Sequence, residues 1–265
     1  MSEATERLEA LLRLMAQLRD PQQGCPWDRV QSFASIAPHT IEEAYELADA
    51  IGSGEPGRIR DELGDLLFQV VFLAQLGFER GWFDFAAVAA TLHEKLVRRH
   101  PHVFGGDTQA GADLAKAWDA HKSAERAAAG LHGALAGVPK ALPALARAAK
   151  LGRRAARVGF DWSDAQAVRS KIGEELQETE SAVRQQDAAA AEEELGDLLF
   201  AIVNWARHLR VDPEAALRSA NQKFERRFAA MEALIGQRGW IAAELTAGQW
   251  ELLWGEVKAQ DRAES

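Results

Sequence analysis

Two groups of acidic residues stand close together late in the chain, Glu174-Glu175-Leu-Gln-Glu178 and Glu193-Glu194-Leu-Gly-Asp197. On a helix Glu175 and Glu178 (i, i+3) share a face, as do Glu174 and Glu178 (i, i+4), and Glu194 and Asp197 repeat the i, i+3 spacing. Gln185-Gln186-Asp187 lies between them. If the chain reverses there, two antiparallel helices of nearly equal length hold both groups at the same height. The result is a cage of four carboxylates: Glu175, Glu178, Glu194 and Asp197. An acidic pair on a helix is ordinarily a solvated face, but two observations weaken that reading here. Like charges at i, i+4 cost roughly 0.2–0.5 kcal/mol per pair. Glu194 and Asp197 also interrupt Leu195, Leu198, Leu199, Phe200, Ile202, Val203 and Trp205. A helix that apolar is expected to be largely buried, and carboxylates on it need a compensating cation.

Carboxylate-only ligation selects a hard cation, Mg²⁺ or Mn²⁺, over zinc. A di-iron bundle would need Glu-x-x-His on two helices, and no Glu in this chain has His three residues later. Further on, Lys223 and Arg227 are i, i+4 on one face with Arg226 beside them. Alone they would read as a salt-bridged surface. Next to a Mg²⁺ cage they read as donors to phosphate oxygens, arginine as a fork and lysine as a point charge. Because Mg²⁺ binds through a few carboxylates plus substrate phosphates, the combination points to a polyphosphate substrate. No Gly-x-x-x-x-Gly-Lys loop, His-Asp dipeptide or Gly-x-Ser-x-Gly elbow offers a different chemistry. His100-Pro-His102 reads as a loop or dimer contact rather than a ligand pair. Most of the eight tryptophans read as core. Trp254 divides evenly between core packing and stacking on a base.

The acidic pattern occurs twice. Adding 132 to Glu42, Glu43, Glu46, Glu62 and Asp65 gives Glu174, Glu175, Glu178, Glu194 and Asp197, and Leu66-Leu67-Phe68 lands on Leu198-Leu199-Phe200. Lys95, Arg98 and Arg99 repeat as Lys223, Arg226 and Arg227 at an offset of 128. Five acids in constant register, each followed by Lys-x-x-Arg-Arg, mark a tandem duplication rather than a short-period solenoid. The first copy has His39 where the second has Lys171, and no Trp/Lys-bearing helix follows it, so it reads as a weak or silent second site.

The elements that must position these residues are all helical in pattern, and no alternating run bounded by hairpin turns is present. Residues 3–19 carry an apolar stripe. A helix is expected from near Pro38 to Gly52, and another from Pro56, which suits a first helical position. Asp84 is placed to cap a helix ending at His100-Pro101, and 101–112 read as loop. Ala-rich helical patterns follow at 118–129 and 142–158. Ser163 or Asp164 caps the helix bearing 174–178, and a helix from about Asp187 to Arg210 bears 194–197. Asp212-Pro213 starts another helix. Thr246-Ala-Gly-Gln249 forms a capping box for a last helix holding Trp250, Trp254 and Lys258. The expected fold is all-α: a first repeat at 1–110, a helical linker at 111–158 and a second repeat at 159–265.

Composition is that of a folded chain able to bury a large core. A net charge of −9 argues against nucleic acid as a partner. It does not exclude an anionic ligand, because a metal inverts the local sign. The single cysteine, Cys25, excludes an intrachain disulfide and a Cys-based zinc site. No signal peptide or membrane-spanning run is visible, so the chain reads as soluble and cytoplasmic, with no membrane partner.

Glu-Glu-x-x-Glu followed by Glu-x-x-Asp in an all-α chain resembles the all-α nucleoside triphosphate pyrophosphohydrolase superfamily, and the tandem arrangement is similar to its MazG family. Cys25-Pro-Trp-Asp28, Asp61-Glu-Leu-Gly-Asp-Leu-Leu-Phe68, Arg98-Arg-His-Pro-His-Val-Phe104, Val158-Gly-Phe-Asp-Trp162 and Lys223-Phe-Glu-Arg-Arg-Phe228 carry the likeness along essentially the whole chain. The resemblance implies Mg²⁺-dependent hydrolysis of nucleoside triphosphates between the α and β phosphates, a house-cleaning role, a homodimer and a main activity in the C-terminal repeat. It implies metal ligation by Glu175, Glu178, Glu194 and Asp197. Nucleotide contacts are implied for Lys171, Glu174, Glu193, Lys223, Arg227 and Trp254, and Arg226 and Lys258 are grouped with these as neighbours on the same helices. Glu174 or Glu175 is the expected water-orienting carboxylate. Some relatives carry a basic residue just before the second acidic motif, where this chain has Ala190 and Ala191. The alternatives are a narrower dUTP or phosphoribosyl-ATP pyrophosphohydrolase, which shares the acidic motif, and a catalytically silent nucleotide-binding regulator.

Overall fold

Short polar side chains begin most of the long helices, because each satisfies an amide that the first turn leaves without a partner. Ser2, Ser32, Asp84, Asp164, Asp187 and Asp212 each accept a hydrogen bond from the backbone N–H three residues on. The computed structural model describes residues 2–105, 130 and 132–263, and every regular element among them is a helix. Two units are present, Met1–His121 and Lys122–Ser265. The expected all-α tandem repeat is therefore observed.

In the first unit, α1 (Glu3–Leu18), α3 (Phe33–Ser53) and α4 (Pro56–Glu79) enclose Met15, Ile36, Val71, Phe72 and Leu76. The short α2 (Pro26–Arg29) joins α1 to α3, and α5 (Phe85–Arg99) packs against α4. Arg19, just past α1, forks onto Glu79 at 2.7 and 2.6 Å and also donates to the Asp28 carbonyl, so it ties the Cys25-Pro-Trp-Asp28 stretch to the end of α4. Helix α3 begins at Phe33, five residues before the Pro38 start that the sequence suggested. The cause is a reciprocal cap: Ser35 N–H donates to Ser32 Oγ and Ser32 N–H to Ser35 Oγ, while Pro38 is carried inside the helix. Residues Pro101–Phe104 form a helical turn, α6, where loop was expected, since Pro101 at the first position is pre-set for it.

In the second unit, α8 (Ala165–Arg184) and α9 (Ala188–His208) form an antiparallel hairpin. Helix α7 (Ala144–Ala156) packs on α9 and α10, and α10 (Pro213–Gln237) packs on α11 (Ala247–Ala263). The α10–α11 core is Met231, Ile235, Leu253 and Val257, with Trp240, Trp250 and Trp254 against it. The later part of the stretch read as linker is thus a packed helix of this unit, and the 118–129 pattern lies outside the described residues. Gly152 of α7 approaches Asn204 of α9 so closely that a Cβ would strike the Asn204 amide oxygen.

The register of the duplication is visible in the backbone. The α3–α4 reversal passes through Gly54 at φ +72° and the α8–α9 reversal through Gln186 at φ +58°, again 132 positions apart.

Candidate metal and nucleotide site

Helices α8 and α9 bring together Glu175, Glu194 and Asp197, each offering one carboxylate oxygen within 4.8 Å of the others. Glu175 is only 5% exposed, Glu194 is half-buried and Asp197 faces solvent. Glu178, placed in the cage by its spacing, is exposed and is not one of these three. Its charge still reaches Glu194. Desolvation first, then repulsion from Glu178, Glu175, Glu193 and Asp197, pushes the Glu194 carboxyl above its usual range. Carboxylates held where each raises the cost of ionising the next suit a cation between them, and an all-oxygen donor set suits Mg²⁺ or Mn²⁺.

One positive group is already present. Lys171 Nζ lies 2.7 Å from a carboxylate oxygen of Glu174 and 2.7 Å from one of Glu175. Its pKa is raised by the hydrogen bonds to those two acids, Glu174 first. Glu174 itself is exposed, and Glu193 is exposed beside Glu194 on α9.

The first unit repeats the arrangement with a different neutralising neighbour. Glu43, Glu62 and Asp65 form the corresponding trio, and Glu46, like Glu178, is exposed and outside it. Burial and then repulsion from Asp65 and Glu46 push the Glu43 carboxyl upward. Among the described residues no lysine answers it. His39, at the position of Lys171, faces Glu42 at 3.5 Å. Glu43 instead accepts a hydrogen bond of 3.3 Å from Nε2 of Gln69, which is 4% exposed and whose Oε1 has no partner. Residue-type reasoning missed Gln69. The repeat offset could have found it, because position 201 in the second copy is Ala.

The basic and aromatic residues lie on other helices. Arg227 Nε donates to Asp261 Oδ2 at 2.6 Å, and its guanidinium sits 5.6 Å over the Trp254 ring. Trp254 is half-buried against the α10–α11 core and tilted 5.8 Å from Phe224. Lys223 and Arg226 are exposed on α10, and Lys258 is half-buried on α11. In the first unit Lys95 and Arg99 are half-buried and Arg98 exposed on α5. His100 Nδ1 is 2.7 Å from the Leu96 carbonyl and its ring 5.6 Å from that of His102, a local arrangement at the end of α5.

Helix α9 is less buried than its apolar composition suggests. Helix α9 buries Ala201, Val203 and Asn204, but Leu195, Leu199, Phe200 and Ile202 are exposed. Helices α8, α7 and α10 all contact it, and none of them among the described residues covers the Leu195, Leu199 and Ile202 stripe. The cation requirement therefore rests on Glu175 and Glu194 rather than on a wholly buried helix. A second missed group lies beside it. Asp161 receives Arg207 Nη1 at 2.9 Å, the Arg207 Nη2, and His208 Nε2 at 3.0 Å. Arg207 also donates to Asn204. This clamp ties the segment before α8 to the end of α9.

The model of the MazG nucleotide pyrophosphohydrolase domain matches residues 31–104 and 164–230, the two stretches that hold the acidic hairpins. A nucleoside triphosphate pyrophosphohydrolase of Escherichia coli (strain K12) is 47% identical over 258 residues, covering 96% of this chain and 98% of that protein. A nucleoside triphosphate pyrophosphohydrolase/pyrophosphatase MazG of Thermotoga maritima is 44% identical over 261 residues, covering 98% and 99%. The uncharacterized protein YabN of Bacillus subtilis is 40% identical over 254 residues, which is 94% of this chain but 51% of that protein.

Proposed function

The chain belongs to the MazG nucleotide pyrophosphohydrolase family, and from that premise we propose that it hydrolyses nucleoside triphosphates at the α–β bond. The products are the monophosphate and pyrophosphate, the cation is Mg²⁺ or Mn²⁺, and the working site is the C-terminal hairpin. The observation that carries this reading is the Glu175, Glu194 and Asp197 group with Lys171 beside it. Glu175, Glu194 and Asp197, with Glu178 at the rim, would hold the cation. When bound, such a cation supplies neutralisation of the triphosphate and acidification of a water.

The chain's own residues do the rest. Glu174, exposed and outside the group of three, is left to orient a water toward phosphorus, since Glu175 is committed to the cation. Lys171, Lys223 and Arg226 donate to phosphate oxygens. Arg227, braced by Asp261, holds its guanidinium against Trp254, which presents the rest of its ring to a base. Glu193 and Lys258 border the same nucleotide. A house-cleaning role in the cytoplasmic nucleotide pool fits this chemistry. No described helix is long and apolar enough to cross a membrane.

We include a homodimer in the proposal. Leu195, Leu199 and Ile202, at i, i+4 and i+7, are exposed on α9, and Leu63, Leu67 and Val70 are exposed at the matching positions of α4. Apolar stripes at that spacing are the kind another helix covers.

The test is Mg²⁺-dependent pyrophosphate release from a panel of triphosphates. Glu175→Ala and Glu178→Ala should each reduce it by roughly a hundredfold or more, while Glu43→Ala/Glu46→Ala leaves most of it. Retained release in both C-terminal variants would remove this hairpin as the site. Turnover of one triphosphate alone would favour a narrower enzyme, and binding without pyrophosphate would make the chain a sensor.

A further inference from the structure

The two acidic trios differ in what neutralises their most buried member. Glu175 is held by an ammonium group and Glu43 by a neutral amide. The ammonium comes from within the same helix. Lys171 lies one turn before Glu175 and touches both Glu174 and Glu175 at 2.7 Å. A lysine so placed does for Glu175 what a divalent cation would do, with one charge rather than two. Both cannot fill the same role at once, because two cations within a few ångströms repel by several kcal/mol even at an effective dielectric near 20.

We propose that Lys171 is a built-in counter-ion which a divalent cation must displace from Glu175, and that the displaced ammonium becomes a donor to the triphosphate. The proposal rests on the metal reading above. Its physical basis is asymmetric mobility: Glu175 is buried on α8, whereas Lys171 is partly exposed on a flexible four-carbon stem. Displacement makes metal and nucleotide binding mutually dependent. Metal loading frees the ammonium that phosphate needs, and phosphate draws away the ammonium that opposes the metal. By linkage the two effects are equal. The N-terminal trio, with Gln69 and His39 in these places, lacks this coupling.

The experiment uses the full chain carrying Glu62→Gln/Asp65→Asn, so that only the C-terminal trio is titrated. Mn²⁺ alone is titrated by electron paramagnetic resonance, then again with a triphosphate analogue bearing a methylene at the α–β bridge. Lys171→Met should bind Mn²⁺ alone roughly five- to tenfold more tightly. It should bind the analogue more weakly, and the gain in Mn²⁺ affinity caused by the analogue should shrink. Lys171→Arg should behave like the parent. In ¹H–¹⁵N spectra the Lys171 ammonium signal, identified by its loss in Lys171→Met, should be protected without metal and exchange rapidly once Mg²⁺ is added. A purely through-space charge effect would leave that signal unmoved. Mn²⁺ binding that is present but not tightened in Lys171→Met, or an ammonium signal indifferent to Mg²⁺, overturns displacement and leaves the metal reading standing. Absence of Mn²⁺ binding in parent and variant alike, with Glu175→Gln causing no change, overturns both.

Discussion

Outside the acidic hairpins, Asp161 gathers Arg207, His208 and the Trp162 amide on one carboxylate. Hydrogen bonds from Arg207 first, then His208 and the Trp162 amide, hold its carboxyl down at about 2. A folded pKa below the ordinary 3.8 means that the stabilisation is complete above about pH 4 and is lost as the pH falls toward 2. Solvent screening keeps its size to about 1–2 kcal/mol. Asp161→Asn should lower stability in urea by that amount at pH 7 and show little difference from the parent near pH 2. An undiminished gap at pH 2 would show that packing, not charge, is responsible. Asp161 stands in the quoted Val158–Trp162 motif, but its partners 46 and 47 positions away leave no local trace in the sequence.

At the scale of elements, the caps were legible and the faces were not. Asp84, Asp187 and Asp212 fix helix starts through contacts three residues long, so their signal is local. The α3 start was misplaced because Pro38 imitates a first-turn proline, while the Ser32–Ser35 cap lacks the usual Glu or Gln. Leu195, Leu199 and Ile202 have the periodicity of a core stripe, yet periodicity does not say whether the cover comes from the same unit. The hairpin turns carry their own prediction. Gly54 adopts its left-handed conformation without steric cost, whereas Gln186 holds the same conformation with a side chain. Gln186→Gly should stabilise the protein by up to about 1 kcal/mol, read as a rise in the urea midpoint. A fall would mean that the Gln186 side chain makes a contact worth more than the strain.

For the whole molecule, the duplication is the property on which the rest depends. Its register was readable, because an offset of 132 maps acids, apolar residues and turn positions alike, and the basic motif follows at 128. Lys171 against His39 already separates the copies in the sequence, whereas Gln69 against Ala201 gains meaning only once the Gln69 side chain is seen on Glu43. The proposed homodimer is testable at this scale. Leu195→Asp/Leu199→Asp or Leu63→Asp/Leu67→Asp should convert a dimer to a monomer in sedimentation velocity. If both variants keep the parent's mass, these stripes are not the subunit contact.

The α8–α9 hairpin also bears on the order in which the molecule folds. All its acids lie within one helix–turn–helix, closed through a reversal of three residues, Gln185 to Asp187. Closure of so short a loop costs little chain entropy, and local contacts of this kind form early. A hairpin so local favours contact between these carboxylates ahead of the longer-range packing of α10 on α11. In that case their repulsion would bear on the folding barrier as well as on the finished state, and the Lys171 ammonium, four residues from Glu175, is close enough in sequence to relieve it from the first turn onward.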